Sequence, residues 1–395
     1  MKCSLPVILL GILLLSACAS YNPPPYSDEA FSARAEEETI DGVTVRVAVL
    51  NREEALQVFG SQLEKRGIQP VWLEIQNDST KNYWFMLRSL DPNYFSAHEA
   101  AYMNHRRFGG NANAAMDEYF SKMAIDQRIR AGSVARGFAF INETVGTREI
   151  RVRLYRDKEV RDFEFFVSIP GVTSDWQKKD LTALYPDDEL VKISTESELQ
   201  AVLRNLRCCT DRQGGLGDGL PVNIVFIDGE ATLRGLIKSG WQESSFRRDF
   251  SNLIGAEQLY GRTPDIVFSK SRRKVDSTNT LRLWVAPIRY RGEVVVVGTI
   301  HRSTDPDIDG TAMYLLEDLA TAETVHTVGF VDAFPAIAED SPVQILGSDK
   351  YWSRGRRLVI QMSLDDLPLE ELQLYDWQWQ ERTSIKSGEA GGAAQ

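Results

Sequence analysis

Four residues in the second half of the chain have side chains of the kinds that hold metal ions. An imidazole, His301, is followed by three carboxylates, Asp305, Asp307 and Asp309. Carboxylate oxygens bind hard divalent cations, and a bound metal ion lowers the pKa of a water molecule enough for hydrolysis. The same aspartates precede a predicted helix, where carboxylates accept hydrogen bonds from free amides and complement the helix dipole. Two interpretations therefore stand, a divalent-metal site and a helix cap, and the cap is preferred.

The aspartates also begin like a calcium-binding loop, because Gly310 follows Asp309. Such a loop requires a bidentate glutamate at its twelfth position. That position holds Leu316, and Glu317 comes one residue late. One residue turns a side chain by about 100° around a helix, so the sequence argues against a calcium loop.

Two arginines and two cysteines complete the set of candidate site residues. Arg262 and Arg282 are candidate anion contacts, since guanidinium groups bind phosphates and carboxylates through charge-assisted hydrogen bonds. Cys208 and Cys209 are adjacent in the chain. They are either two packed thiols at a helix end, which is the preferred interpretation, or, in an oxidising compartment, a reducible redox pair.

Other reactive side chains do not form a recognisable catalytic set. His98 and His105 are too far apart for ligands on one helical turn, which are three or four residues apart, so surface polar residues are the preferred interpretation. The glycines of residues 214–219 precede a predicted strand, whereas a phosphate-binding loop opens a helix. The sequence has no nucleophile turn of the Gly-x-Ser-x-Gly type and no Walker motif.

Composition restricts the class of protein further. The chain has 395 residues, with 45 Lys and Arg against 56 Asp and Glu, and a formal net charge of −11. This length predicts two or three domains, and 43% hydrophobic residues is a globular composition. A nucleic-acid-binding protein needs a basic surface to displace counterions from phosphates, so the acidic balance predicts no nucleic-acid partner.

The N-terminus has the pattern of a signal peptide. Lys2 is followed by an apolar run over residues 5–15, which is shorter than the roughly 20 residues of a membrane-spanning helix. The next residues, Leu15-Ser16-Ala17-Cys18, resemble the lipobox of bacterial lipoproteins. The resemblance implies a signal peptide of residues 1–17, cleaved before Cys18, and acylation of Cys18. An ordinary cleaved signal with an incidental cysteine is the alternative.

The same resemblance implies a location. Acyl chains on Cys18 would give stable membrane attachment. Ala19 stands where, by the resemblance, an aspartate marks retention in the inner membrane, which implies an outer-membrane lipoprotein facing the periplasm. Residues 18–38 are rich in Pro and Glu, a composition that predicts an extended tether between the membrane and the folded chain.

Residues 39–170 predict an immunoglobulin-like β-sandwich. Apolar and polar residues alternate over Val43–Val49, which buries one face of a strand. Further short strands are predicted at residues 69–77, 137–141, 149–155 and 162–169. A helical insertion is predicted near residues 98–129. Several short strands with turn signals and no long intervening helices are typical of an antiparallel sandwich.

The rest of the chain predicts a second domain of a different class. Residues 171–200 are polar and predict a connector. Residues 201–335 predict an α+β sandwich with helices on one face of a mostly antiparallel sheet. Residues 336–386 predict a C-terminal β extension, and residues 387–395 a disordered tail. The fold class is therefore α+β multidomain, with the sandwich first.

Five motifs in the second domain resemble the LssY C-terminal domain family. In chain order they are Pro221-Val222-Asn223-Ile224-Val225-Phe226, Gly240-Trp241, Leu259-Tyr260-Gly261-Arg262-Thr263-Pro264-Asp265, Leu281-Arg282-Leu283-Trp284 and Asp305-Pro306-Asp307-Ile308-Asp309. The resemblance covers roughly residues 203–333 and implies the α+β fold, with no defined activity. Relatives place a histidine just before the fourth motif, where this chain has Asn279 and Thr280. If the family's chemistry needs that histidine, this chain has lost it.

Two functional hypotheses follow. The first is a lipid-anchored, periplasm-facing protein that binds or scaffolds without catalysis, with no cofactor, the membrane as one partner and an envelope protein as another. The second is a metal-dependent hydrolase that acts on a phosphorylated envelope component through His301 and the three aspartates, with a divalent metal ion as cofactor. The first is preferred because no complete catalytic set is present.

Overall fold

The computed structural model describes residues 21–23, 25–107, 109–144, 146–170, 180–211, 218–243, 257–271, 278–302, 304–346 and 349–378. The chain divides into two units, residues 1–172 (unit 1) and residues 173–395 (unit 2). Helices and strands occur in both, and strands predominate, so the α+β class is confirmed. In the described ranges, no helix is both long enough and apolar enough to cross a bilayer.

Unit 1 is built mainly from strands. Its elements are α1 (Glu29–Ser32), β1 (Glu36–Ile40), β2 (Val43–Val49), α2 (Arg52–Phe59), β3 (Ile68–Asn77), β4 (Tyr83–Phe85), α3 (Ala97–Tyr102), α4 (Gly110–Met123), β5 (Arg128–Ile129), β6 (Ser133–Asn142), β7 (Thr147–Arg156) and β8 (Glu159–Ser168). The strands form two antiparallel four-stranded sheets, in the orders β1-β2-β3-β6 and β5-β4-β7-β8.

The two sheets of unit 1 share one hydrophobic core. Val45 and Ile75 of the first sheet belong to the same buried cluster as Val152 and Phe163 of the second. The alternation predicted for β2 is confirmed, because every second residue of that strand is a valine and all four valines are fully buried. Burying apolar side chains from both sheets in one cluster is the main stabilising contribution to this unit.

Helices cover the opposite face of the first sheet. Trp72 and Phe140 on that face pack with Phe59 of α2 and Phe120 of α4. Two of these helices, α2 and α3, begin at a capping residue. At the start of α3 the Ser96 side chain accepts from the backbone of Glu99, while the Glu99 carboxylate accepts from the backbone of Ser96. The predicted helical insertion therefore forms α3 and α4.

The predicted tether is wrong over the part of it that the structure describes. Phe31 of α1 is buried in the cluster between the helices and the first sheet, and β1 pairs with β2 along its whole length. Tyr21 and Pro23 lie against Gly60, where an added Cβ atom would be 3.9 Å from Tyr21 Cε2 and 3.6 Å from Pro23 Cα. Aromatic residues within the Pro- and Glu-rich segment give it apolar surface to bury, which outweighs the extended tendency of its prolines.

Unit 2 is built around one large sheet. Its elements are β9 (Val191–Ile193), α5 (Glu196–Asn205), β10 (Cys209–Asp211), β11 (Asp218–Pro221), β12 (Ile224–Ile227), α6 (Gly229–Lys238), β13 (Gln242–Glu243), β14 (Ile266–Ser271), β15 (Thr278–Tyr290), β16 (Glu293–Arg302), α7 (Ile308–Thr321), β17 (Val325–Asp332), β18 (Val343–Leu346), β19 (Asp349–Tyr351), β20 (Arg356–Met362) and β21 (Gln373–Leu374). The nine-stranded sheet has the order β13-β14-β15-β16-β12-β20-β17-β21, with β9 beside β15.

Two segments predicted to flank the second domain are parts of its sheet. β20, from the predicted C-terminal extension, lies between β12 and β17, parallel to the first and antiparallel to the second. β9, from the predicted connector, pairs in parallel with β15. Both segments carry apolar residues that complete the sheet, and neither pairing is visible in local sequence because the partner strands are far away in the chain.

Helices cover both faces of this sheet, whereas the sequence predicted one face. α6 and α7 pack on one face through residues such as Leu236 and Leu315. α5 packs on the other face through Leu199 and Leu203. The reason lies in β12, whose four residues are all apolar and all buried, so that both of its faces need a covering layer.

Candidate functional site

The pairing of β15 with β16 brings two sequence-predicted site residues together. Thr280 is opposite His301, and Arg282 is opposite Thr299. Side chains that are opposite each other across two strands share a face, and so do side chains two positions apart along one strand. Arg282 and His301 are therefore diagonal neighbours on one face of the sheet, and both are buried.

A buried carboxylate lies near one of these residues, Arg282. The Glu257 carboxylate lies 3.9 Å from the Arg282 guanidinium, measured from Oε2 to Nε. Its other oxygen accepts a hydrogen bond of 3.3 Å from the backbone amide of Leu220. We call Glu257, Arg282, Thr299 and His301 the buried polar layer. It combines a carboxylate, a guanidinium, a hydroxyl and an imidazole away from bulk water, where charged groups are retained only if they interact.

Glu257 and Thr299 were not identified from the sequence. Glu257 precedes the third motif of the family resemblance, but an isolated glutamate in a polar stretch carries no sign of burial. Thr299 lies within an apolar strand, where threonine is an ordinary β-former. Only the register of β15 against β16 shows that Thr299 faces Arg282.

The three aspartates have structural roles, and the helix-cap interpretation is confirmed. Asp307 is the N-cap of α7, and its Oδ1 accepts from the backbone amide of Gly310 at 2.8 Å. Asp305 accepts from the amide of Asp307 at 3.0 Å and from the Arg302 guanidinium at 3.1 Å. Each bond satisfies a backbone or charged group at the start of the helix.

Asp309 links α7 to the segment that leads into β20. Its carboxylate accepts from the Ser353 hydroxyl at 2.7 Å and from the backbone amide of Arg354 at 2.6 Å. Among the residues that the structure describes, no three His, Cys, Asp or Glu side chains are grouped to hold a metal ion. The predicted site of His301 with the three aspartates is therefore not formed there, because the carboxylates bond to backbone amides, to Arg302 and to the Ser353 hydroxyl.

Arg262 contacts an anion, but the anion belongs to the protein itself. Its guanidinium binds the buried Asp265 carboxylate at 2.9 Å and donates to the Val285 carbonyl at 2.6 Å. It lies against the rings of Tyr185 and Tyr260, 5.1 and 5.6 Å from their centroids. Burial lowers the pKa of Arg262, but its bonds to Asp265 and Tyr185 outweigh this, so the net pKa is raised. The predicted ligand contact is replaced by an internal ion pair.

Cys208 and Cys209 are joined by a disulfide bond between neighbouring residues. The preferred interpretation of two packed thiols is therefore wrong, and the structure contains the bonded alternative. The bond lies at the start of β10, where the Cys208 carbonyl accepts from the amide of Val222 at 2.7 Å. Lipid-modified Cys18 was also predicted from the sequence, and it lies outside the described residues.

A completely buried arginine lies next to this disulfide and was not identified from the sequence. Arg357 of β20 donates to three backbone carbonyls, those of Val222 (2.6 Å), Leu203 and Arg207 (3.0 Å). Burial lowers the pKa of Arg357 to about 10, although the nearby Tyr260 acts in the opposite direction. Because its guanidinium donates to backbone carbonyls of these segments, Arg357 connects β20 to α5 and to the disulfide segment.

In unit 1, the two histidines meet at one carboxylate. His105 Nε2 lies 2.8 Å from Asp117 Oδ1, and His98 Nδ1 lies 3.7 Å from the same oxygen. Sequence spacing could not show this, because Asp117 belongs to α4, which folds back along α3.

An open groove of about 550 Å³ lies beside these helices. It is lined by Leu56, Gly60, Ser61, Gln62, Lys65, Arg66, Asn104 and Arg106. Three of the lining residues are cationic and none is acidic, which contrasts with the net charge of −11 of the whole chain. We call this cavity the basic groove.

Comparison of the chain with models of protein families and with curated proteins found no match.

Proposed function

We propose that the protein is a lipid-anchored, periplasm-facing outer-membrane protein that acts as a non-enzymatic binding or scaffolding subunit. The anchor rests on the lipobox-like residues that end at Cys18. The observation that carries the non-enzymatic role is the use of the aspartates: Asp307 caps a helix, and Asp309 bonds to Ser353 and Arg354. These bonds account for the aspartates by their contribution to the fold, without a metal ion.

The finer architecture is part of the same proposal. We infer an immunoglobulin-like sandwich in unit 1, which is supported by two antiparallel sheets around one core. For unit 2 we infer an LssY C-terminal-like domain. Two of its motifs are bonded to each other, since Trp284 Nε1 donates to the Arg262 carbonyl at 3.1 Å and the amide of Val285 donates to Asp265 at 2.9 Å.

The second candidate function is hydrolysis of a phosphorylated envelope component. The observation in its favour is the buried polar layer, where His301 and Arg282 share a face with Glu257 nearby. An imidazole beside a guanidinium is a combination that supports proton transfer and stabilises phosphate charge. The bond pattern of the aspartates argues against the metal-dependent form of this chemistry.

One experiment separates the two functions. The protein is purified from detergent-solubilised envelopes, and bound partners and metal content are measured together with phosphate release from envelope extracts. We expect a co-purifying protein at stoichiometric level and no phosphate release that distinguishes the wild type from His301→Ala. Phosphate release that is lost in His301→Ala, or stoichiometric metal that is lost in Asp307→Ala, would overturn the scaffold role.

The anchor is tested separately by membrane fractionation of the Cys18→Ala variant. Because the acyl chains supply the attachment, the variant should move to the soluble periplasmic fraction. Glu118→Ala, a change at an exposed position of α4, serves as the processing control and should stay with the membrane. Membrane retention of Cys18→Ala at the wild-type level would refute the anchor.

A further inference from the structure

The basic groove lies where the chain enters the fold. Tyr21 and Pro23 contact Gly60, and Gly60 also lines the groove. Cys18 is three residues before Tyr21 in the chain. Three extended residues span at most about 11 Å. A lipid attached to Cys18 would therefore hold this side of unit 1 close to the membrane surface, since the packed segment leaves little length for a spacer.

The charge of the groove is opposite to that of the chain. Lys65, Arg66 and Arg106 are exposed. None of the three forms an ion pair with another described residue, so their charges face solvent. An anionic membrane surface attracts cations that lie within a Debye length of it.

Apolar side chains accompany these cations. Leu56, which lines the groove, is 42% exposed, and Tyr102, on α3 two positions before the groove residue Asn104, is 66% exposed. Exposed leucine and tyrosine among cations are the combination by which proteins rest in the headgroup region of a bilayer.

We propose that the basic groove docks on the membrane surface and binds the phosphates of anionic phospholipids. The inference rests on the proposed lipid anchor for its orientation, but the binding itself needs no acyl chain. The docked groove would fix the orientation of unit 1 on the membrane, and the acyl chains would supply the attachment. The protein would then present a defined face to its partner.

The test uses the mature chain from residue 18 with Cys18→Ser, so that no acyl chain contributes. Co-sedimentation is measured with vesicles of phosphatidylcholine alone and with vesicles that also contain phosphatidylglycerol. We expect binding to the anionic vesicles only. Each cation removed should weaken it about fivefold, and the triple change Lys65→Gln, Arg66→Gln and Arg106→Gln on the order of 100-fold.

A matched variant carries Arg88→Gln, Arg130→Gln and Lys158→Gln, which remove three exposed cations of unit 1 that do not line the groove. This matched variant has the same net charge as the triple groove variant, but it should bind the anionic vesicles within a few-fold of the wild type. Thermal unfolding of both variants checks that the fold is kept. Equal loss in both variants, or no binding to anionic vesicles, would overturn the proposal.

Two further outcomes would also overturn it. If inorganic phosphate at the concentration of the vesicle phosphate abolishes binding, the groove is a site for soluble phosphate. If sedimentation shows a dimer that the groove variant loses, the occupant is a second copy of the chain. If the protein carries no lipid anchor, these vesicle results stay unchanged, because the vesicle assay uses a chain without acyl groups. The anchor is tested only by the fractionation of Cys18→Ala.

Discussion

The hydroxyl of Tyr21 donates a hydrogen bond of 2.7 Å to the backbone carbonyl of Phe59. This bond joins the first described residue to the end of α2, and the Tyr21 ring meets Tyr119 edge-on at 5.8 Å. Burial and the neighbouring Tyr119 raise the pKa of Tyr21 well above its usual range. The described residues that follow the predicted lipidation site, which begin at Tyr21, therefore pack on the folded unit.

The first prediction concerns the stability that this segment contributes. Phe31→Ala should lower the free energy of unfolding of unit 1 by about 3–5 kcal/mol, because it removes a buried ring that packs on Phe138. Tyr21→Phe should cost about 1 kcal/mol, the usual net value of one hydrogen bond. Urea denaturation followed by fluorescence measures both. The exposed Leu56→Ala is the control, and a Phe31→Ala effect no larger than that of the control would show that the segment is not part of the fold.

The second prediction concerns the buried pair of Asp91 and Arg148. The two side chains are 3.1 Å apart and are 8% and 11% exposed. Asp91→Asn should destabilise unit 1 by about 3–5 kcal/mol, because it leaves the buried Arg148 without its carboxylate. The exposed Asp126→Asn should change the stability by less than about 1 kcal/mol. Equal effects of the two changes on urea denaturation at neutral pH would count against a role for the pair.

The pair of Asp91 and Arg148 should also make the stability of unit 1 depend on pH. Burial raises the pKa of Asp91, but hydrogen bonds from Asn142 and Asn93 and the nearby Arg148 outweigh it, so the net pKa lies below its usual value. The stability from Asp91 is fully present above the unfolded-state pKa of about 3.9 and is lost as pH falls through the lowered folded-state value. The difference in the free energy of unfolding between the wild type and Asp91→Asn should therefore become smaller below about pH 4. A constant difference through this range would contradict the ionised pair.

The third prediction separates capping from metal binding at Asp307. Asp307→Ala should cost about 1 kcal/mol, because the amide of Gly310 loses its acceptor. Asp307→Ser keeps a capping oxygen and should restore most of the stability. Thermal unfolding with and without a chelator measures both effects. If Asp307→Ser does not restore the stability, or if a chelator lowers the unfolding temperature of the wild type alone, Asp307 would be a metal ligand instead.

The fourth prediction compares two adjacent arginines. Arg357→Met removes the donors to three backbone carbonyls, of which those of Val222 and Leu203 are buried, and a buried carbonyl costs roughly 1–3 kcal/mol when left unsatisfied. We expect a loss of about 3 kcal/mol or more in unit 2. Arg356→Met removes only an exposed ion pair with Asp332 and should change the stability by less than about 1 kcal/mol. Similar losses in both variants, measured by guanidinium denaturation, would refute the role of Arg357.

The sequence alone predicted features that depend on nearby residues. The valine alternation of β2 places its apolar side chains on one face whatever the partner strand, because the side-chain period of a strand is fixed by its backbone. Asp307 as a cap follows from its place before an apolar helical pattern, because the amides that it satisfies are two or three residues away. The adjacency of Cys208 and Cys209 likewise left two alternatives, packed thiols or a bonded pair, because both side chains lie at one point of the chain.

Tertiary structure decided the features that depend on distant residues. Arg282 and His301 become neighbours only through the register of β15 against β16, and a shift of one residue would place them on opposite faces. Arg357 is buried because β20 lies between β12 and β17, two strands that are distant from it or from each other in the chain. The packing of Tyr21 on Phe59 likewise joins distant segments. Such contacts depend on which surfaces meet when the chain folds, and local sequence patterns carry no information about that choice.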